Sequence, residues 1–120
     1  MSAIRIDRFN EEIRKTLSEI VREMKDPRIS PMTTIAQVEV TRDLYYAKVK
    51  VSVYDKEEQI RRDTVEALNH ASGFLAHEIG QRMEIRRLPQ LTFVLDDSIA
   101  YSAHISKVLN DLHIKEESDD

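Results

Sequence analysis

The side chains of this 120-residue chain that could bind a metal or move a proton are few: His70, His77, His104, His113 and the adjacent carboxylates Asp96 and Asp97. His70 and His77 stand seven residues apart and can share a helix face. Two imidazoles without a third ligand make a poor zinc site, and no His-Glu-x-x-His spacing is present. The histidines are therefore read as structural or solvated. Asp96-Asp97-Ser98 is better explained as a strand stop and helix cap than as an acid–base pair. Ser72 precedes Gly73, but there is no Gly-x-Ser-x-Gly elbow and no evident base beside it. Cysteine is absent, which excludes disulfides and thiolate chemistry, and only two glycines occur, so no glycine-rich phosphate loop exists. No catalytic residue, metal ligand set or cofactor is assigned, and the chain is not read as an enzyme.

Arginines offer a different chemistry. Arg82, Arg86 and Arg87 follow a helical region with only Glu78 and Glu84 nearby, and a guanidinium fork matches phosphate oxygens. Arg5, Arg8, Arg14, Lys15, Arg22, Lys25 and Arg28 stud the first helix and its exit. They alternate with acids, so ordinary surface ion pairing accounts for them equally well. Tyr45, Tyr46 and Tyr54 have rings that could stack on bases, but around a hairpin they are read as packing residues.

The elements that must position these groups are legible from periodicity. Ile6, Phe9, Ile13, Leu17, Ile20, Val21 and Met24 recur at spacings of three and four, which predicts one long amphipathic helix. It should stop near Lys25, because Pro27 disfavours the helical conformation at Asp26. From Ile35 to Thr41 the period becomes two, with Ala36, Val38 and Val40 on one face. Ala47, Val49, Val51 and Val53 alternate in the same way against Lys48, Lys50 and Ser52, and the joint Thr41–Tyr45 predicts an antiparallel hairpin. Val65, Leu68, Leu75, Ile79 and Met83 restore helical spacing, with Gly73 inside the stripe as a candidate bend. Gly80 and Arg86–Pro89 are expected to end that helical region. Leu91–Leu95 reads as a short strand, and Ile99–Leu112 as a last helix. The order is helix, strand, strand, broken helix, strand, short helix. That is an α+β domain whose helices cover one sheet face.

The net charge of −4 sits at one end. Residues 111–120 carry five acidic side chains and one basic, whereas residues 1–110 are balanced at 17 each. A single domain over residues 1–110 followed by an acidic, disordered tail over 111–120 is expected. The opening residues carry no signal-peptide pattern and no run is apolar enough to span a bilayer, so a cytoplasmic address without membrane contact is expected.

Four segments together resemble the ribosome-binding factor A family of bacterial small-subunit maturation factors. They are the Arg5–Met24 helix with Asp26-Pro27-Arg28-Ile29, the hairpin Val38–Leu44 with Ala47-Lys48-Val49, the break Ala71-Ser72-Gly73, and Arg86–Phe93 with Asp96 and Ser98 following. The likeness spans about residues 4–110. It implies a type II-like KH fold in α-β-β-α-α-β order, with a three-stranded mixed sheet and a helix–kink–helix at Ala71-Ser72-Gly73. KH modules commonly clamp RNA with a Gly-x-x-Gly loop, which this chain and the family lack. The resemblance further implies binding to the immature small ribosomal subunit and its rRNA, help in late maturation including 5′-end processing, and support of growth in the cold. On that basis Arg82, Arg86 and Arg87 are expected to hold phosphates. Ser72 and Gly73 would bring backbone close to RNA, and Arg5, Arg8 and Arg28 would extend the contact. The chain would act as a monomer, alongside other maturation factors. The rival reading is a protein–protein interaction or dimerisation module that does not touch RNA.

Overall fold

A computed structural model describes residues 3–85 and 87–96. The elements are α1 (Ala3–Glu23), β1 (Thr33–Val40), β2 (Tyr46–Val53), α2 (Glu58–His70), α3 (Ser72–Met83) and β3 (Gln90–Leu95). The sheet order is β1-β2-β3, with β1 antiparallel to β2 and β2 parallel to β3. A parallel pair needs a crossover, and α2 with α3 supplies it. The expected α-β-β-α-α-β order and mixed sheet are therefore the observed ones. The last expected helix, Ile99–Leu112, its cap residues Asp97 and Ser98, and the acidic tail lie outside the described residues. Among the described residues, no helix is long and apolar enough to cross a membrane.

The apolar stripe of α1 puts Ile13, Leu17 and Ile20 into the core, against Val49 and Val51 of β2, Leu75 and Ile79 of α3, and Phe93 of β3. Each such side chain contributes about 1.5–3 kcal/mol when fully buried. β1 departs from strict alternation. Its register slips between Ile35 and Gln37, so Ile35 and Val38 both reach the core although they are three residues apart. The inserted Ala36 is a bulge: one extra residue turns the strand enough to change which face the preceding side chain occupies.

An asparagine from a helix binds the backbone of each edge strand. Asn10 of α1 accepts a hydrogen bond from the Val40 N–H at 3.0 Å. Asn69 of α2 accepts from the Phe93 N–H at 2.8 Å and donates to the Phe93 carbonyl at 3.0 Å, standing in for a neighbouring strand. These contacts satisfy outward-pointing backbone groups that an open edge would leave to another chain.

One glycine expectation needs correcting. Gly80 does not end α3, which continues to Met83 and closes at Glu84 in the left-handed conformation (φ 53°). A Cβ at Gly80 would lie 2.7 Å from Leu88 Cδ2, so this glycine lets the returning chain pack against the helix. The kink falls within the expected Ala71-Ser72-Gly73, on Ala71 at φ −91° and ψ 7°, with Gly73 already inside α3.

Candidate nucleic-acid interface

The α2–α3 junction is built by Ala71, whose N–H still bonds back to Ala67 (3.1 Å) while its carbonyl receives the Leu75 N–H (2.9 Å). Those two bonds turn the chain within one residue and start α3 without a side-chain cap. Ser72 is half-buried, and Gly73 is exposed with nothing within 4 Å of where a Cβ would stand. Phe74, 54% exposed, faces the turn that leaves α1, and a shallow groove of about 610 Å³ runs between them, lined by Met24, Lys25, Asp26, Pro27, Arg28 and Phe74. The structure thus places Arg28 beside Phe74, next to the junction. A second hollow behind it, reaching Arg28 and His70, is lined also by Asp55, Asp63 and Glu66, a carboxylate set that repels phosphate.

The arginines at this end are already engaged. Arg28 clasps Asp26 through Nη2 (2.8 Å) and Nε (3.1 Å), and its backbone N–H bonds the same carboxylate at 2.9 Å. These donors pull the Asp26 carboxyl down to about 2. Arg82 reaches across to α1 and bonds Glu23 at 2.6 Å, with Glu78 at 3.9 Å one turn away. The expectation of an arginine cluster beside the junction is therefore altered by geometry. Arg82 faces α1 carboxylates distant in sequence, and their charge offsets its own.

Arg87 lies elsewhere, next to the start of β3. Its guanidinium carbon sits 3.6 Å above the centre of the Tyr45 ring. Gln90, three residues on, donates its N–H to the Tyr45 carbonyl at 2.8 Å, which fixes the β3 entrance against the hairpin turn. The Thr41–Tyr46 turn is held by Asp43, whose Oδ1 accepts from Thr41 Oγ1 (2.5 Å) and the Tyr45 N–H (3.0 Å). Leu44 takes the left-handed conformation, φ 64°. α1 brings Arg8 toward this end, two residues before the Asn10 that bonds β1 next to the turn, with Arg5 a further turn away. Arg86 lies outside the described residues.

The tyrosines are the signal that sequence reasoning misread. Tyr45 and Tyr46 are 46% and 55% exposed, and Tyr54 is 55% exposed, so each leaves about half its surface to solvent and none belongs to the core. Parity should have shown it for Tyr46, which stands two and four residues before Lys48 and Lys50 on the strand and must share their outward face.

A protein-family model described as ribosome-binding factor A matches residues 5–109. The ribosome-binding factor A of Caldanaerobacter subterraneus subsp. tengcongensis is 49% identical over 117 residues, covering 97% of this chain and 94% of that one. Its counterpart from Acetivibrio thermocellus is 45% identical over 108 residues, covering 89% and 87%. Among solved structures, the crystal structure of ribosome-binding factor A from Thermus thermophilus superposes with a TM-score of 0.65 at 26% identity, covering 75% of this chain and 94% of that one. A Thermus thermophilus ribosome-binding factor A model fitted into an electron cryo-microscopy map of a complex with 30S gives 0.64 at 25% identity, covering 77% and 96%. The three-stranded mixed sheet and the paired helices meeting at Ala71 are the KH-like arrangement of those proteins. The chain is a member of the ribosome-binding factor A family.

Proposed function

We propose that this chain binds the small ribosomal subunit through its rRNA and assists late maturation of that RNA, including processing of its 5′ end. The observation that carries the reading is the open helix junction. Gly73 is exposed and unobstructed, at the N-terminal turn of a helix without a side-chain cap, so an RNA backbone can approach where a side chain would stand in the way. A helix N-terminus attracts phosphate by its dipole and N–H groups. Arg8 and Arg87 add basic character toward the hairpin end, whereas Arg28 beside the junction is held by Asp26. The mechanism is differential binding: contacts formed with one conformation of the rRNA raise that conformation's population.

Co-sedimentation of the purified protein with isolated small subunits in a salt series tests this. If about four phosphates are neutralised, affinity falls roughly a hundredfold between about 50 and 200 mM salt. Binding indifferent to salt overturns the RNA reading. It would favour a protein contact centred on Phe74, whose ring is open beside the junction. The processing role is checked separately, by accumulation of 5′-extended small-subunit rRNA in cells depleted of the protein.

A further inference from the structure

At the opposite end from the helix junction, we infer that Tyr45, Tyr46 and Arg87 form a platform that stacks one or two unpaired RNA bases. The inference rests on the RNA-binding reading above and adds a second, chemically different contact to it. The two rings lie side by side, 6.5 Å between centres and tilted by 48°, each with about half its surface open to solvent. Large aromatic area left uncovered is costly in water, and neither ring is needed by the core, which is complete beneath them with Ala47 and Leu91.

Arg87 makes the pair a nucleotide site rather than a generic apolar patch. With its carbon 3.6 Å over the Tyr45 ring centre, the guanidinium is oriented by a π-face that takes none of its N–H donors as a carboxylate would, and a guanidinium fork can bridge a phosphate. Arg28 and Arg82 spend those same donors on carboxylates. Among the described residues no carboxylate pairs with Arg87; Asp43 feels its charge, and the Asp43 oxygen is held by Thr41 and Tyr45. Lys48 follows Tyr46 on the same face of β2, about 7 Å along the strand, a second cation for the sugar–phosphate chain; Glu39 lies opposite it but bonds Lys50 at 3.4 Å. Every base has a π-face, so such a platform is sequence-tolerant, and it cannot be used by bases already stacked inside a duplex.

The test uses the full chain with a single-stranded oligouridylate decamer and, separately, an RNA duplex of about the same length. The chain has no tryptophan, so tyrosine fluorescence reports stacking directly. The wild type should bind the single strand with quenched emission. Replacing both rings (Tyr45→Ala with Tyr46→Ala) should weaken single-strand binding about ten- to a hundredfold, the loss expected for one or two stacked bases, while duplex affinity stays within about twofold. The double phenylalanine variant keeps the π-faces and should retain affinity, measured by anisotropy of labelled RNA. Single-strand binding unchanged in the alanine variant, lost equally for both RNAs, or absent in the wild type overturns the platform. Subunit co-sedimentation separates the two readings. Salt-sensitive subunit binding that ignores the tyrosine substitutions sinks the platform alone, whereas failure of the wild type to bind subunits sinks the proposed function itself.

Discussion

The hairpin end and the helix-junction end of this molecule both carry exposed arginines, and they treat them in opposite ways. At the junction end, Arg28 is held by Asp26 and Arg82 by Glu23 and Glu78, so each cation is cancelled within a few ångströms. At the hairpin end, Arg87 rests on a tyrosine ring, which orients the guanidinium without neutralising it. Counting basic residues would rank the ends alike. What differs, among the described residues, is whether a carboxylate occupies the N–H fork: it does at Arg28 and Arg82, and the ring under Arg87 does not. The junction end instead offers backbone, through the open Gly73.

The contrast presumes that the two ends are held in fixed relation, and β3 is the strand that runs between them, from Gln90 beside Tyr46 to Leu95 beside Val51. Asn69 pins its middle. Asn69→Ala leaves the buried Phe93 N–H and carbonyl without partners and should cost about 2–3 kcal/mol, a fall in melting temperature of roughly 8–12 °C. Asn69→Asp keeps the acceptor for the Phe93 N–H but sets a carboxylate oxygen against the Phe93 carbonyl, so it should destabilise at least as much as the alanine. Faster amide exchange at Phe93 in Asn69→Ala, by hydrogen-exchange NMR, locates the loss. Unchanged melting in the alanine variant would mean that the edge is closed by something else.

Next in size is the direct contrast of arginines. Arg87→Ala should weaken subunit or single-strand RNA binding about tenfold and lower the slope of log affinity against log salt by about one. Arg82→Ala should change affinity by less than about twofold, because Glu23 already offsets that charge. Glu23→Gln sharpens the test, since it releases Arg82 and should raise affinity and salt slope together. Equal losses in Arg82→Ala and Arg87→Ala would erase the distinction between a carboxylate-held and a ring-held guanidinium.

Much of this architecture could be read from the chain before any coordinates. α1 and β2 show clean periods, Pro27 stops the first helix, and the parity of Ala47, Val49 and Val51 names the inner face. What stayed hidden depends on contacts between distant residues or on a single inserted one. The bulge at Ala36 turns Ile35 inward, and no local propensity marks it. Gly80 serves Leu88, eight residues away, and looked like a helix end because glycine usually is one. The site suffered most. Arg82 seemed to belong with Arg87 by sequence spacing, yet its partner Glu23 is 59 residues away, and the turn through Glu84 separates the two arginines. Asp26 was close enough in sequence to have been recognised as Arg28's counter-ion.

Gly73 gives a smaller effect with an informative sign. Its backbone is helical and a methyl group meets nothing within 4 Å, so Gly73→Ala should stabilise the fold by about 0.5–1 kcal/mol by restricting the unfolded chain. If RNA approaches the junction backbone, the same methyl group obstructs it, and subunit binding should fall severalfold. A more stable protein that binds less well, seen by thermal melts beside co-sedimentation, supports the junction contact. Improved or unchanged binding would remove the junction and leave the hairpin end to carry recognition alone.

The least energetic test concerns whether Arg28 is occupied in solution. Its carboxylate partner is lowered from 3.8 to about 2 first by the guanidinium hydrogen bonds and then by the Arg28 N–H. A carboxyl group with a depressed folded value favours the native turn at pH above its unfolded value, and that contribution disappears as pH falls toward about 2. A carbon-detected NMR titration should therefore find the Asp26 midpoint near 2, and Arg28→Ala should move it back toward the ordinary aspartate range, incompletely because the backbone N–H at position 28 remains. The exposed guanidinium can also be tested by its ligand. If saturating single-stranded RNA draws Arg28 away, the Asp26 midpoint rises in the complex. If the midpoint stays near 2 with RNA bound, Arg28 keeps its carboxylate throughout, and the junction end contacts RNA by its backbone rather than by that arginine.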